Sequence, residues 1–217
     1  MDFLLPVEAI EELAGPLSDE QSSRLTEYGR LIQEASRRVN LVSRQSLADI
    51  GEHFIDCAAL LSFVEPGASG LADLGSGAGF PGLVAAILRP SVRVTLVDSR
   101  RSKVVFLKDT KRRMGLGNVT VVHGRLEELQ DEVKFELATA RALGRVEDVL
   151  GLCLRLLSPG GRLVLFKGPQ WPSEAPGAEV VAASEGAGIT RTETVALPGL
   201  DRATTFVEFH VKQPEHQ

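Results

Sequence analysis

The chain has 217 residues, 43% of them hydrophobic and 24% charged, which is ordinary globular composition with enough length to bury one sizeable core. A formal charge of −5 and a pI near 5.5 argue against indiscriminate adhesion to nucleic acid but leave room for a local basic patch. Cys57 and Cys153 stand alone, with no Cys-x-x-Cys pair, so neither a disulfide scaffold nor a structural zinc site is expected, and no metal site is assigned. The first residues, Met1 to Leu13, lack a basic segment followed by a long apolar run, and no window reaches the length of a membrane span. Together these features describe a reduced, soluble, cytoplasmic protein with no membrane partner.

Residues 1–65 read as a helical N-terminal extension packed on the core. Ser18-x-x-Gln21 has the form of a capping box, and Leu25, Tyr28, Leu31, Ile32, Ala35 and Val39 follow at helical spacing. Ser46-x-x-Asp49 could open another helix, with Leu47, Ile50, Phe54, Ala58 and Leu61 on one face. Pro66-Gly67 punctuates the chain, and residues 66–217 form the second unit. There, short apolar runs alternate with amphipathic helices. Strands are predicted at Leu71–Leu74, Val92–Val97, Val119–His123, Leu137–Ala140 and Arg162–Phe166. Helices are predicted at Pro81–Leu88, Arg101–Met114 and Val146–Leu157, the last stopped by Ser158-Pro159-Gly160-Gly161. Trp171 to Gly177 reads as a Pro-rich loop before a weak helix. Ile189–Leu197 and Thr204–Val211 form an antiparallel hairpin at the end of the sheet. The fold class is therefore α/β: a Rossmann-like, doubly wound sheet, mostly parallel, with an antiparallel C-terminal strand and a helical N-terminal extension.

The run from Leu71 to Gly82, LADLGSGAGFPG, lies between a predicted strand and a predicted helix. Ligands of open α/β sheets bind there, at the carboxyl ends of the strands. Gly77-x-Gly79-x-x-Gly82 formally matches the dinucleotide fingerprint, while Asp73 followed by Gly75-x-Gly77-x-Gly79 resembles the loop that binds S-adenosylmethionine. Asp98 ends the second strand, where a carboxylate can accept both hydrogen bonds of a ribose diol, and this suits either ligand. Pyrophosphate needs a helix N-terminus for its negative charge, whereas the sulfonium of the methyl donor is positive. An acid at Asp73 suits the cation and would repel a phosphate, which favours the methyl donor. Leu126 and Glu127 follow the third strand. They could flank an adenine ring, or form the solvated first turn of a short helix.

The motifs then become specific. Val39 to Ser43, His53-Phe54-Ile55-Asp56-Cys57, the Asp73-to-Gly82 loop with its Phe80-Pro81-Gly82 ending, Val97-Asp98-Ser99 followed by Lys103-Val104-Val105-Phe106-Leu107, Ala140-Arg141-Ala142 and Phe166-Lys167-Gly168 stand in the order found in a bacterial family. Over about residues 20–210 the chain resembles the bacterial 16S rRNA guanine-N7 methyltransferases, also called glucose-inhibited division protein B. Cys57 stands where that family usually has Ser, and Ala140 where Ser is common; both replacements are small. The resemblance implies a class I methyltransferase fold and S-adenosylmethionine as cofactor. It implies donor contacts at Gly75, Phe80, Asp98, Leu126, Glu127 and Arg141, to which the loop reading adds Asp73, Gly77 and Gly79. It also implies a guanine in the decoding-region loop of 16S rRNA as substrate, within the small ribosomal subunit or its precursor.

Guanine N7 carries a lone pair and no proton, so its attack on a sulfonium methyl needs alignment rather than a general base. This agrees with the lack of a convincing catalytic His, Cys or triad, and no catalytic residue is assigned. His53, Arg141 and Lys167 are candidates for positioning substrate, each with a structural alternative: a packed histidine, an ion pair and a surface lysine. Arg100, Arg101, Lys103, Lys108, Lys111, Arg112 and Arg113, and separately Arg24, Arg30, Arg37, Arg38 and Arg44, could make an RNA-facing side; a solvated helix face is the alternative. A small-molecule or protein methyltransferase, an NAD(P)-binding oxidoreductase and a ligand-sensing RNA-binding module are the competing functions.

Overall fold

The computed structural model describes residues 3–38, 41–43, 47–65, 67–129 and 133–213. Of the residues singled out above, Met1, Val39, Asn40, Arg44, Ser46 and Pro66 lie outside them.

Three helices precede the sheet: α1 (Val7–Ala14), α2 (Asp19–Ser36) and α3 (Ile50–Ala59), the last continued by a 3₁₀ turn over Leu60–Phe63. The capping box that opens α2 is present. Ser18 Oγ accepts from the Gln21 N–H at 3.2 Å, and Gln21 Oε1 accepts from the Ser18 N–H at 2.9 Å. Leu25, Tyr28, Leu31 and Ile32 form the buried face of α2.

The sheet and its helices then alternate: β1 (Gly70–Leu74), α4 (Gly82–Leu88), β2 (Arg93–Asp98), α5 (Arg101–Arg113), β3 (Val119–His123), α6 (Leu126–Leu129), β4 (Phe135–Ala140), α7 (Val146–Arg155), β5 (Leu157–Lys167), α8 (Trp171–Ser184), β6 (Ala187–Ala196) and β7 (Ala203–Val211). The seven strands lie in the order β3-β2-β1-β4-β5-β7-β6. β1 to β5 are parallel, and β7 runs antiparallel to both β5 and β6. β1 has β2 on one side and β4 on the other, so the strand order reverses at β1, and a crevice opens at its carboxyl end.

The inner strands bury both faces, as a parallel sheet must. Leu71, Leu96 and Val164 point into one core, shared with Leu25, Phe54 and Leu83 from α2, α3 and α4. Their strand neighbours Ala72, Val97 and Leu163 point into the other, shared with Leu150 of α7 and Ala178 of α8. The period-two pattern of each strand thus separates the two layers. An aromatic spine holds the first. Phe54 lies 5.1 Å from Phe3, 5.4 Å from Tyr28 and 5.2 Å from Phe80, centroid to centroid. Phe80 ends the glycine loop, so the packing of α2 and α3 reaches the crevice directly.

Two segments differ from the expectation. Trp171 to Gly177 belongs to α8 rather than to a loop. Pro172 falls in the first turn, where N–H groups have no helical partner to lose, and Pro176 deletes one later bond. The helix is held by burial of Trp171, edge-on to Phe209 at 6.4 Å, and of Ala178 and Ala182. Ser158 to Gly161 do not separate α7 from the fifth strand but lie within β5. There the register with β4 jumps from Phe135↔Leu157 to Leu137↔Arg162, and the intervening glycines absorb the irregularity.

Candidate functional site

The loop after β1 is laid over the end of β2. The N–H groups of Gly75 and Ser76 both donate to the Val97 carbonyl at 2.9 Å, and Gly77 donates to Asp98 Oδ2 at 2.8 Å. The other Asp98 oxygen accepts the Arg100 N–H at 2.8 Å. Asp98 is thereby fixed at its strand end with lone pairs to spare. Gly77 adopts φ +57°, and a Cβ placed on it would meet nothing nearer than the Gly75 carbonyl at 3.9 Å. Its backbone therefore faces an open cradle.

That cradle belongs to a cavity of about 420 Å³ at the carboxyl ends of β1 to β4. Gly75, Gly77, Asp98, Leu126 and Glu127 of the expected donor residues line it. Leu143, Val149 and Leu152 add an apolar wall from the β4–α7 side, and Lys103 lines it from α5. Lys103 is buried rather than part of a solvated basic face, and its Nζ donates to the Leu41 carbonyl. Burial holds its ammonium below the usual range, against the attraction of Asp98.

The other expected donor residues stand elsewhere. Asp73 is buried behind the loop, its Oδ2 accepting the Gly82 N–H at 2.9 Å. Gly79 and Phe80 face α2 instead of the cavity. A Cβ on Gly79 would come within 2.9 Å of the Tyr28 hydroxyl, and Phe80 packs 5.2 Å from the Tyr28 ring. The buried Tyr28 hydroxyl donates to the Ala78 carbonyl at 2.8 Å, so one residue of α2 pins the crown of the loop. Gly82 has no room at all. A Cβ there would lie 2.8 Å from Asp73 Oδ2, 2.9 Å from Asp73 Cβ and closer still to Leu96. Gly82→Ala is expected to cost about 1–3 kcal/mol, the scale of overpacking, and to lower the melting temperature by several degrees. An unchanged thermal melt would show that β1 and α4 can part without penalty.

Arg141 lies on a second cavity, of about 970 Å³, together with Lys167. Ala142, at φ +51°, lines both cavities and stands between them. Arg141 Nη2 donates to His53 Nδ1 at 2.6 Å and to Asp56 Oδ2 at 3.3 Å, and Nη1 reaches Cys57 Sγ at 3.7 Å. Burial, then the Arg141 charge, lower the His53 pKa to about 4, so the ring is neutral near pH 7 and carries its hydrogen on Nε2. Burial pushes the Cys57 thiol far up, which leaves it inert as a nucleophile. Lys167 pairs with Glu174 and stands 5.9 Å from the Trp171 ring centre.

Asp56 is the hub of this region. It is 4% exposed and, besides Arg141, accepts from Thr204 Oγ1 at 2.5 Å and from the Arg202 guanidinium at 3.2 and 3.3 Å. Arg202 also donates to Glu52 at 3.0 Å. The sequence does not mark Tyr28, Arg202 or Thr204 as site residues. Tyr28 had only its helical core spacing to mark it, and the other two lie about 150 residues from their partners. In the basic stretch of α5, Arg112 pairs with Asp109 at 2.6 Å and Arg113 with Glu27 and Glu34 of α2 at 3.5 and 3.7 Å. Lys108 and Lys111 have no ion pair among the described residues.

A family model described as rRNA small subunit methyltransferase G matches residues 21–199. A Lactobacillus helveticus protein named ribosomal RNA small subunit methyltransferase G is 34% identical over 200 residues, 88% of this chain and 83% of its own length. One of the same name from Clostridium beijerinckii is 37% identical over 170 residues, 76% of this chain and 71% of its own. Among solved structures, magnesium protoporphyrin IX methyltransferase from Synechocystis PCC 6803 with bound SAM superposes with a TM-score of 0.58. It is 14% identical and covers 90% of this chain and 99% of that one, a likeness of fold. Among the described residues no helix is long and apolar enough to cross a membrane.

Proposed function

Because the chain belongs to the rRNA small subunit methyltransferase G family, we propose that it transfers the methyl group of S-adenosylmethionine to N7 of one guanine in the decoding-region loop of 16S rRNA. The observation that carries this reading is the cavity over Gly75 and Gly77 with Asp98 at its wall and a second cavity beginning at Ala142. Bare backbone at Gly77 leaves room for a ligand to lie against the loop, and Asp98 keeps acceptor capacity for a ribose diol. Leu126, Leu143 and Val149 offer an apolar surface to the adenine. When bound, the cofactor supplies an electrophilic methyl group on a sulfonium.

Gly82 bears on the dinucleotide alternative. The N-terminus of α4 is where a pyrophosphate would seek donors, and the Gly82 N–H is already given to the Asp73 carboxyl. A phosphate there would find that donor already taken by a carboxyl. This favours the sulfonium ligand over NAD(P).

The protein's own contribution to the reaction is placement. Arg141 and Lys167 face the second cavity, where they would hold the guanine or its phosphates. His53 keeps Arg141 in place as a neutral hydrogen-bond acceptor. A neutral, tied-down His53 and an inert Cys57 suit a reaction with no proton to remove and no covalent intermediate. Alignment of N7 with the methyl group then provides the acceleration. Lys108 and Lys111 on α5 would meet RNA phosphates as the target approaches. The reaction belongs in the cytoplasm, where small subunits mature.

The deciding experiment is methyl transfer from labelled S-adenosylmethionine to small subunits from a strain lacking the activity. The expected result is one 7-methylguanine in 16S rRNA. Label on protein or on another base, or none while the donor binds, would overturn the assignment.

A further inference from the structure

Asp73 is buried with half of its carboxyl unmatched. It is 1% exposed, one carboxyl oxygen accepts the Gly82 N–H, and the other, Oδ1, is buried with no hydrogen-bond partner among the described residues. An unmatched carboxylate oxygen in such a place is costly, and protonation relieves it. The residues that follow Asp73 fold directly over the cavity. Ser76 donates to the Asp73 carbonyl at 2.8 Å, and Gly75 and Gly77 form the cavity floor.

The groups around it set the balance. From β2, Asp98 opposes a second negative charge, and from the end of β4, Arg141 favours one. Tyr28 of α2 and Cys57 of α3 also face it, both neutral, with their own ionisation pushed up by burial. From α4 comes the Gly82 N–H. Burial is the largest influence and raises the carboxyl to about 7, against the Gly82 N–H bond and the nearby Ser76 hydroxyl. Its proton is thus held loosely near neutral pH.

We propose that Asp73 tells the charged methyl donor from the uncharged product. It gives up its proton to solvent when a sulfonium is bound across Gly75 and Gly77, and regains it when the bound molecule is the neutral thioether. Charge balances at each stage. The positive charge leaves the cofactor with the methyl group and passes to the guanine ring, and the carboxylate left behind takes a proton from water. Donor binding is thereby favoured over product binding, increasingly so as pH rises. The inference rests on the S-adenosylmethionine reading.

The test is calorimetry of S-adenosylmethionine and S-adenosylhomocysteine near neutral pH, in buffers of different ionisation enthalpy. The sulfonium also makes the donor's own ammonium more acidic than the product's, so each free ligand is titrated in the same buffers and its share subtracted before the proton counts are compared. Wild-type protein should release about half a proton more with the donor than with the product. The ratio of donor to product affinity should rise several-fold between about pH 6 and pH 8. In Asp73→Asn both effects should vanish. Equal proton counts in the wild type overturn the proposal, and that comparison stands even where the variant does not fold. A protein that binds neither molecule would instead overturn the methyl-donor reading.

Discussion

Asp98→Ala is expected to weaken S-adenosylmethionine binding by about 3 kcal/mol, on the order of a hundredfold. Two losses combine. The carboxylate would no longer accept the ribose hydroxyls, each a charge-assisted hydrogen bond. It would also release the N–H groups of Gly77 and Arg100, which it now holds at 2.8 Å each. The glycine loop would then have to be ordered by the ligand itself, at an entropic cost. Asp98→Asn keeps one acceptor oxygen and should lose less. Calorimetric titration of the purified variants measures both, and an unchanged affinity in Asp98→Ala would remove this residue from the donor site.

The largest effect on stability is expected at Phe54. Truncation to alanine empties a fully buried site among Phe3, Tyr28 and Phe80 and should cost about 3–5 kcal/mol in denaturant unfolding. Domains of this kind hold about 5–15 kcal/mol in all, so the variant would keep a narrow margin. Phe80 and the Tyr28 hydroxyl support the glycine loop, so donor affinity should fall as well, in protein that is still folded. Phe54→Leu fills most of the space and should lose less than half as much. A cost below about 1 kcal/mol in Phe54→Ala would mean that the spine repacks freely.

Local signals made much of this fold legible. The Ser18–Gln21 box, the span of β3 and the antiparallel ending each depend on a few neighbouring residues, and the structure places them as expected. Asp98 and the glycine loop were legible for a related reason: a parallel sheet puts strand ends and the turns after them on one rim. Side-chain direction was not legible. Gly75 and Gly77 face the cavity while Gly79 faces Tyr28, although all three share one repeating pattern. Lys103 reads as one cation in a basic run, and only the position of Leu41 beside α5 shows that it is buried. The start of α8 is hidden in the sequence because proline weighs against helix locally, and the burial of Trp171 against β7 outweighs that in the folded chain. Asp56 joins α3 to Arg202 and Thr204, a pairing that no sequence window can contain.

The place of β7 has a consequence for how the protein is made. β7 follows β6 in sequence yet lies between β5 and β6, so β6 emerges from the ribosome before it has a neighbour to pair with. Until residues 202–211 follow, β5 has an open edge, Asp56 lacks Arg202 and Thr204, and the second cavity lacks part of its wall. The first cavity, built from β1 to β4 and α7, is encoded entirely upstream. A nascent chain therefore completes the first cavity before the second, which waits for residues 202–211.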